Sequence, residues 1–155
     1  MRGAQERSFK NYFAGAAISF SIVLIAIQII ALYFAGMSEE QAMSLNYLRF
    51  ALMLAVNFLG GAVGSFLVAR RVGGNYLQVG IITAICSYIL ESIYYILFGE
   101  GSSDMLVIVS LVLGGVVGSL FAKADADKRL AASKASEVQT QNEPHDAEQE
   151  PEYSI

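Results

Sequence analysis

The residues of this chain that could carry chemistry are few, and the most telling of them sit in apolar surroundings. Glu91 follows Ile89 and Leu90 and precedes Ile93. Arg49 lies between Leu48 and Phe50, Gln28 between Ile27 and Ile29, and Asn57 between Val56 and Phe58; Tyr88 stands three residues before Glu91. A carboxylate that meets a guanidinium in such a medium forms an ion pair, and one that meets none is a site for a proton or a cation. The machinery of other chemistries is missing from the sequence. It has no phosphate loop, no dinucleotide fingerprint and no nucleophile elbow. The one cysteine, Cys86, lies in an apolar run, where it reads as a small packing residue, and the one histidine, His145, lies in a polar tail. No metal or other cofactor is therefore expected. Nor is an enzyme, because a catalytic site needs several convergent titratable groups and the extramembrane loops are too short to hold one.

The elements that must position these residues are four apolar blocks, at about 12–35, 47–69, 76–98 and 104–122. Each exceeds the roughly 18 apolar residues that mark a membrane-spanning helix, and at about 1.5 Å per residue each can cross ~30 Å of hydrocarbon. The first block is about twice the length of a cleavable signal core of roughly 7–15 residues and lacks a small-x-small site, so it is expected to remain as a helix. The fold class expected is an all-α membrane protein of four transmembrane helices.

Two of the blocks repeat a phrase. Residues 59–65 read LGGAVGS and residues 113–119 read LGGVVGS, each late in its run and each run closing on Ala plus a base (Ala69-Arg70, Ala122-Lys123). The pairs Asn11-Tyr12 and Asn75-Tyr76 open the other two blocks, and Phe34 and Phe98 close them. This pattern predicts two tandem hairpin repeats of the same orientation. Glycines spaced i, i+4 let helix backbones touch in lipid, so Gly60, Gly61, Gly64 and Ser65 are expected to pack against Gly114, Gly115, Gly118 and Ser119.

Basic residues set the orientation. Arg2, Arg7 and Lys10 precede the first block, Arg70 and Arg71 follow the second, and Lys123, Lys128, Arg129 and Lys134 follow the fourth. The other two connections carry Glu39 and Glu40, and Glu100 and Asp104. The positive-inside rule then predicts a multi-pass plasma-membrane protein with both termini cytoplasmic. Residues 1–11 form the N-terminal cytoplasmic segment. Residues 124–155 carry eight acids and three bases and few large apolar groups. They read as a short helical extension to about Ser136, followed by a disordered acidic cytoplasmic tail.

Stripes of small residues end in polar groups. Gly80, Ala84 and Ser87 lead to Glu91; Ala14, Ala17 and Ser21 lead to Gln28; Arg49 shares a face with Gly60 and Gly64. Gln28 and Glu91 each lie about 10 Å below the outer boundary, and the long Arg49 side chain can reach them. A cluster of Arg49, Glu91 and Gln28 is expected, with Tyr88, Tyr94 and Tyr95 around Glu91, their hydroxyls placed to bond the carboxylate or line a small cavity, Asn57 as interhelical glue, and an interfacial-anchor role favoured for Tyr94 and Tyr95. Glu91 then has two readings. One is an ion pair fixing helix register, the other a proton or cation site on a pathway.

The layout of about 110 residues in four helices with a repeated LGG-VGS phrase resembles small prokaryotic four-helix membrane proteins with glycine-rich, GxxxG-type helices. The resemblance covers the bundle and not the tail, and it implies a membrane class without assigning site residues. The function expected is a structural or interaction role, as a homo-oligomer or with a membrane-protein partner in the lipid bilayer; the alternative is a subunit of an oligomeric transporter or channel using Glu91. A nucleic-acid partner is not expected of a chain with net charge −4.

Overall fold

The computed structural model describes residues 2–98 and 105–141. Five helices follow in order: α1 (Arg2–Ala35), α2 (Glu39–Ser44), α3 (Asn46–Val72), α4 (Tyr76–Phe98) and α5 (Met105–Gln141). Four of them contain segments long and apolar enough to cross a membrane: Phe9–Ala35, Asn46–Val72, Tyr76–Phe98 and Met105–Ser136. Glu100, Asp104, His145 and the tail beyond 141 lie outside the described residues. The α5 helix runs five residues past the expected stop at Ser136, to Gln141.

Local chemistry sets the element ends. The connection after α1 carries a helix of its own, α2, started by a capping box: the Gln41 backbone N–H donates to Ser38 Oγ, and the Ser38 N–H donates to Gln41 Oε1. At the other end of the bundle, α3 stops at Gly73 and α4 starts after Gly74. Both glycines have positive φ, 65° and 81°, a conformation that a side chain would strain. The Gly73 N–H donates to the Ala69 carbonyl, and Asn75 Oδ1 caps α4 by accepting from the Gln78 N–H.

Size is distributed inversely to that of a water-soluble core. Most of the fully covered residues are small or hydroxylated, among them Gly60, Gly61, Gly64, Ser65, Thr83, Ala84, Ser87, Gly114, Gly115, Gly118 and Ser119; Val23, Asn57, Glu91 and Leu111 are the larger side chains covered with them. The large apolar side chains point outward, among them Ile25, Ile29, Leu59, Ile85, Ile89, Ile93 and Leu113. An apolar exterior around a small-residue interior suits a bundle in hydrocarbon, where helices associate by close packing and not by escape from water.

The packing is antiparallel between α1 and α3. A Cβ on Gly15 would strike Val68, one on Gly64 would meet Gly15 and Ser19, and one on Gly60 would meet Ser19 and Val23. Between α3 and α5 it is parallel: Ser110 Oγ donates to the Leu54 carbonyl at 2.6 Å, and Cβ atoms on Gly114 and Gly118 would overlap the carbonyls of Phe58 and Ala62. The α4 helix completes the bundle against α5 through Gly80, whose added Cβ would lie 2.5 Å from the Gly115 carbonyl oxygen. It meets α1 through Ser87 Oγ, which donates to the Ala16 carbonyl at 3.4 Å.

Candidate functional site

Between α1 and α4 lies a cavity of about 180 Å³. Its α1 wall is Phe20, Val23, Leu24 and Ile27, with Gln28 and Ala31 farther along; its α4 wall is Glu91, Tyr94 and Tyr95. Glu91 is 2 % exposed, and neither carboxylate oxygen has a hydrogen-bond partner among the described residues. Gln28 and Ala31 are exposed and form the rim.

The α4 helix places this carboxylate by its small-residue face. Gly80, Ala84 and Ser87 sit tight between neighbouring helices, and Glu91 continues that line one turn on, where the packing opens into the cavity. Phe20 and Tyr94 close one side, with ring centroids 5.7 Å apart and planes inclined at 60°. Tyr94 also contacts the Phe98 ring at 4.7 Å and the Tyr95 ring at 6.0 Å. Of these rings, Phe20, Tyr94 and Tyr95 line the cavity with the carboxylate.

The expected polar cluster is rearranged. Gln28 and Glu91 do border the same cavity. Arg49 does not reach them: it is exposed and lines a separate surface depression with Glu39, Ala42, Met43 and Asn46. Its position in the first turn of α3, beside α2, lets the guanidinium remain at the bundle end, where solvation costs least. Glu91 therefore lacks the guanidinium that the ion-pair reading requires.

Tyr88 belongs elsewhere too. It packs against Ala84, Val107 and Leu111, toward α5. At about 100° per residue, Tyr88 is turned some 60° from Glu91 toward α5, and Tyr94 about 60° the other way toward α1. The phenols of the cavity are thus Tyr94 and Tyr95; of the three tyrosines expected around Glu91, Tyr88 is the one turned away. Asn57 is 1 % exposed, but its Nδ2 donates to the Met53 carbonyl of its own helix at 2.8 Å, and Oδ1 has no partner among the described residues. The interhelical hydrogen bonds come from serines instead: Ser65 to the Gly80 carbonyl, Ser87 to Ala16 and Ser110 to Leu54. Ser110 escaped the sequence reading; its signal was a small hydroxyl one turn before Gly114.

The glycine positions all meet neighbours. Gly60 and Gly64 face α1, Gly61 faces Leu111 and Gly115 of α5, Gly114 and Gly118 face α3, and Gly115 faces Gly80 and Ala84 of α4. Ser65 and Ser119 are buried in the same layer. Among the described residues no group of three or more His, Cys, Asp or Glu could hold a metal ion. Comparison with known protein families, with curated proteins and with solved structures finds no match for this chain.

Proposed function

We propose that this chain is a small multi-pass membrane protein acting as a subunit of an oligomeric transporter or channel, with Glu91 as its intramembrane proton or cation site. The observation that carries this reading is the carboxylate itself: almost fully covered, unpartnered, and bordering a cavity. Burying a charge without a counter-charge is costly, so a carboxylate kept in this state argues for a transient partner supplied from outside the chain. The structural or interaction role is the second reading. It is weakened by the glycine faces, which are already covered by helices of the same chain; a partner would have to use the outer apolar surface.

Four helices make a thin wall, so a pathway through this protein calls for a second copy or another membrane protein beside it. The two hairpins are proposed to be tandem repeats, supported by the echoed LGG-VGS phrase and by the parallel contact of α3 with α5. Both termini are proposed to face the cytoplasm of a plasma-membrane protein, supported by Lys10, Arg70, Arg71 and Lys123 at the corresponding ends. No enzymatic role is proposed.

Reconstitution of the full chain into liposomes with an internal pH dye tests the reading. A cation gradient drives proton movement with the native chain and not with Glu91→Gln incorporated to the same level. Equal flux from both, or none above empty liposomes from either, removes the transport reading.

A further inference from the structure

The α1/α4 cavity limits what can neutralise Glu91. A hard metal cation asks for about six oxygen ligands. The cavity offers one carboxylate, one amide at the rim and two phenols, with apolar side chains making up the rest of its wall. An inorganic cation stripped of water would find too few donors here. An organic ammonium makes the opposite demand. Its charge is spread over alkyl groups, its hydration is weak, and it gains from a carboxylate at one end and from aromatic faces around it.

Those features are present together. The Glu91 oxygens are unpartnered, the paired Phe20 and Tyr94 rings line the same cavity, and Val23 and Ile27 supply an apolar floor. A volume of about 180 Å³ admits a compact alkylammonium and not an extended chain. The exposed rim at Gln28 and Ala31 gives an amphiphilic cation an entrance from the side of the bundle. Entry from the membrane suits a molecule that partitions into the interfacial layer.

We propose that this cavity is a binding site for a small quaternary ammonium, held by the Glu91 carboxylate and the Phe20–Tyr94 aromatic pair. The proposal deepens the transport reading and rests on the same site, but it concerns binding and is testable without flux.

The experiment is equilibrium binding of tetraethylammonium to the full chain in lipid nanodiscs, by calorimetry and by quenching of tyrosine fluorescence. The native chain binds saturably. Glu91→Gln binds about 100-fold more weakly, since one partner of a desolvated charge pair is lost. Tyr94→Leu binds about fivefold more weakly, since a cation–π face is lost. Arg49→Gln binds as the native chain does. Two ligand-side controls on the native chain do not depend on any variant folding: the neutral isostere 3,3-diethylpentane fails to compete, and sodium or potassium at equal concentration fails to compete. Competition by the neutral isostere, undiminished binding to Glu91→Gln, or no saturable binding to the native chain overturns the proposal. Saturable, Glu91-dependent binding with no flux in liposomes leaves the site standing and removes transport.

Discussion

If α3 and α5 are joined backbone to backbone, a single methyl group in the seam should part them. The sharpest positions are Gly61 and Gly114. A Cβ on Gly61 would lie 2.5 Å from the Leu111 carbonyl oxygen, about 0.9 Å inside the 3.4 Å at which ordinary contact begins. A Cβ on Gly114 would overlap the Phe58 carbonyl and stand 3.0 Å from the Phe58 Cα. In both cases the obstacle is backbone, which cannot rotate away as a side chain can. Opening a packed seam by 0.5–1 Å forfeits about a quarter to a half of each contact's attraction, and overpacking of this kind costs about 1–3 kcal/mol. Alanine's better helix propensity returns up to about 1 kcal/mol. Because the obstacle is backbone, the upper part of the overpacking range applies, about 2–3 kcal/mol, and the expected net loss is about 1–2 kcal/mol for Gly61→Ala and for Gly114→Ala. Because both act on one seam, the double variant should lose less than the sum. Gly36→Ala supplies the reference: its Cβ meets only the Tyr33 carbonyl oxygen at 3.9 Å, and it should stay within about 0.5 kcal/mol of the native chain. Unfolding in mixed micelles, followed by helical circular dichroism, measures all four. Gly61→Ala and Gly114→Ala matching Gly36→Ala would refute the close approach of α3 and α5.

Other substitutions separate packing from function. Ser110→Ala removes the 2.6 Å hydrogen bond to the Leu54 carbonyl and should cost about 0.6 kcal/mol in the same micelle assay, the usual value of an interhelical bond in lipid. Glu91→Leu replaces an unpartnered polar group with an apolar one and should stabilise the bundle by about 1–3 kcal/mol; a loss of stability would restore the ion-pair reading. Arg49→Gln, at an exposed position, should change stability by no more than about 0.5 kcal/mol. Gly73→Ala forces a side chain onto a residue with φ of 65° and ψ of −166° and should cost about 1–3 kcal/mol, with faster amide exchange confined to the α3–α4 turn.

The four long helices were legible because apolar length is a one-dimensional property. The capping box of α2 is equally present in Ser38 and Gln41, but a six-residue helix has no apolar length to announce it. The site was half legible. Glu91 and Gln28 could be placed by depth and by their stripes of small residues. The position of Arg49 could not, since a long side chain near a helix end reaches inward or outward at similar cost, and the presence of α2 beside it is a tertiary fact. Tyr88 and Tyr94 are each three residues from Glu91, on opposite sides. Only the positions of α1 and α5 around α4 decide which phenol meets the cavity.

The echoed phrase shows how one sequence can make two surfaces. In the first copy the spaced pair Gly60 and Gly64 meets α1 and the middle Gly61 meets α5. In the second the spaced pair Gly114 and Gly118 meets α3, and the middle Gly115 meets both α3, at Ser65, and α4, at Gly80 and Ala84. A strict twofold would send the second pair to α4, so the copies are not used equivalently. The difference has a consequence for the site. Because α5 turns only its middle glycine to α4, the α4 helix is gripped tightly at Gly80 and Ala84. Farther along, α4 faces α1 across the bulkier Phe20, Val23 and Tyr94, and these side chains hold the helices apart where Glu91 emerges. The tight glycine layer and the open carboxylate cavity thus lie toward opposite ends of the same helix, with Gly80 in its first half and Glu91 in its second.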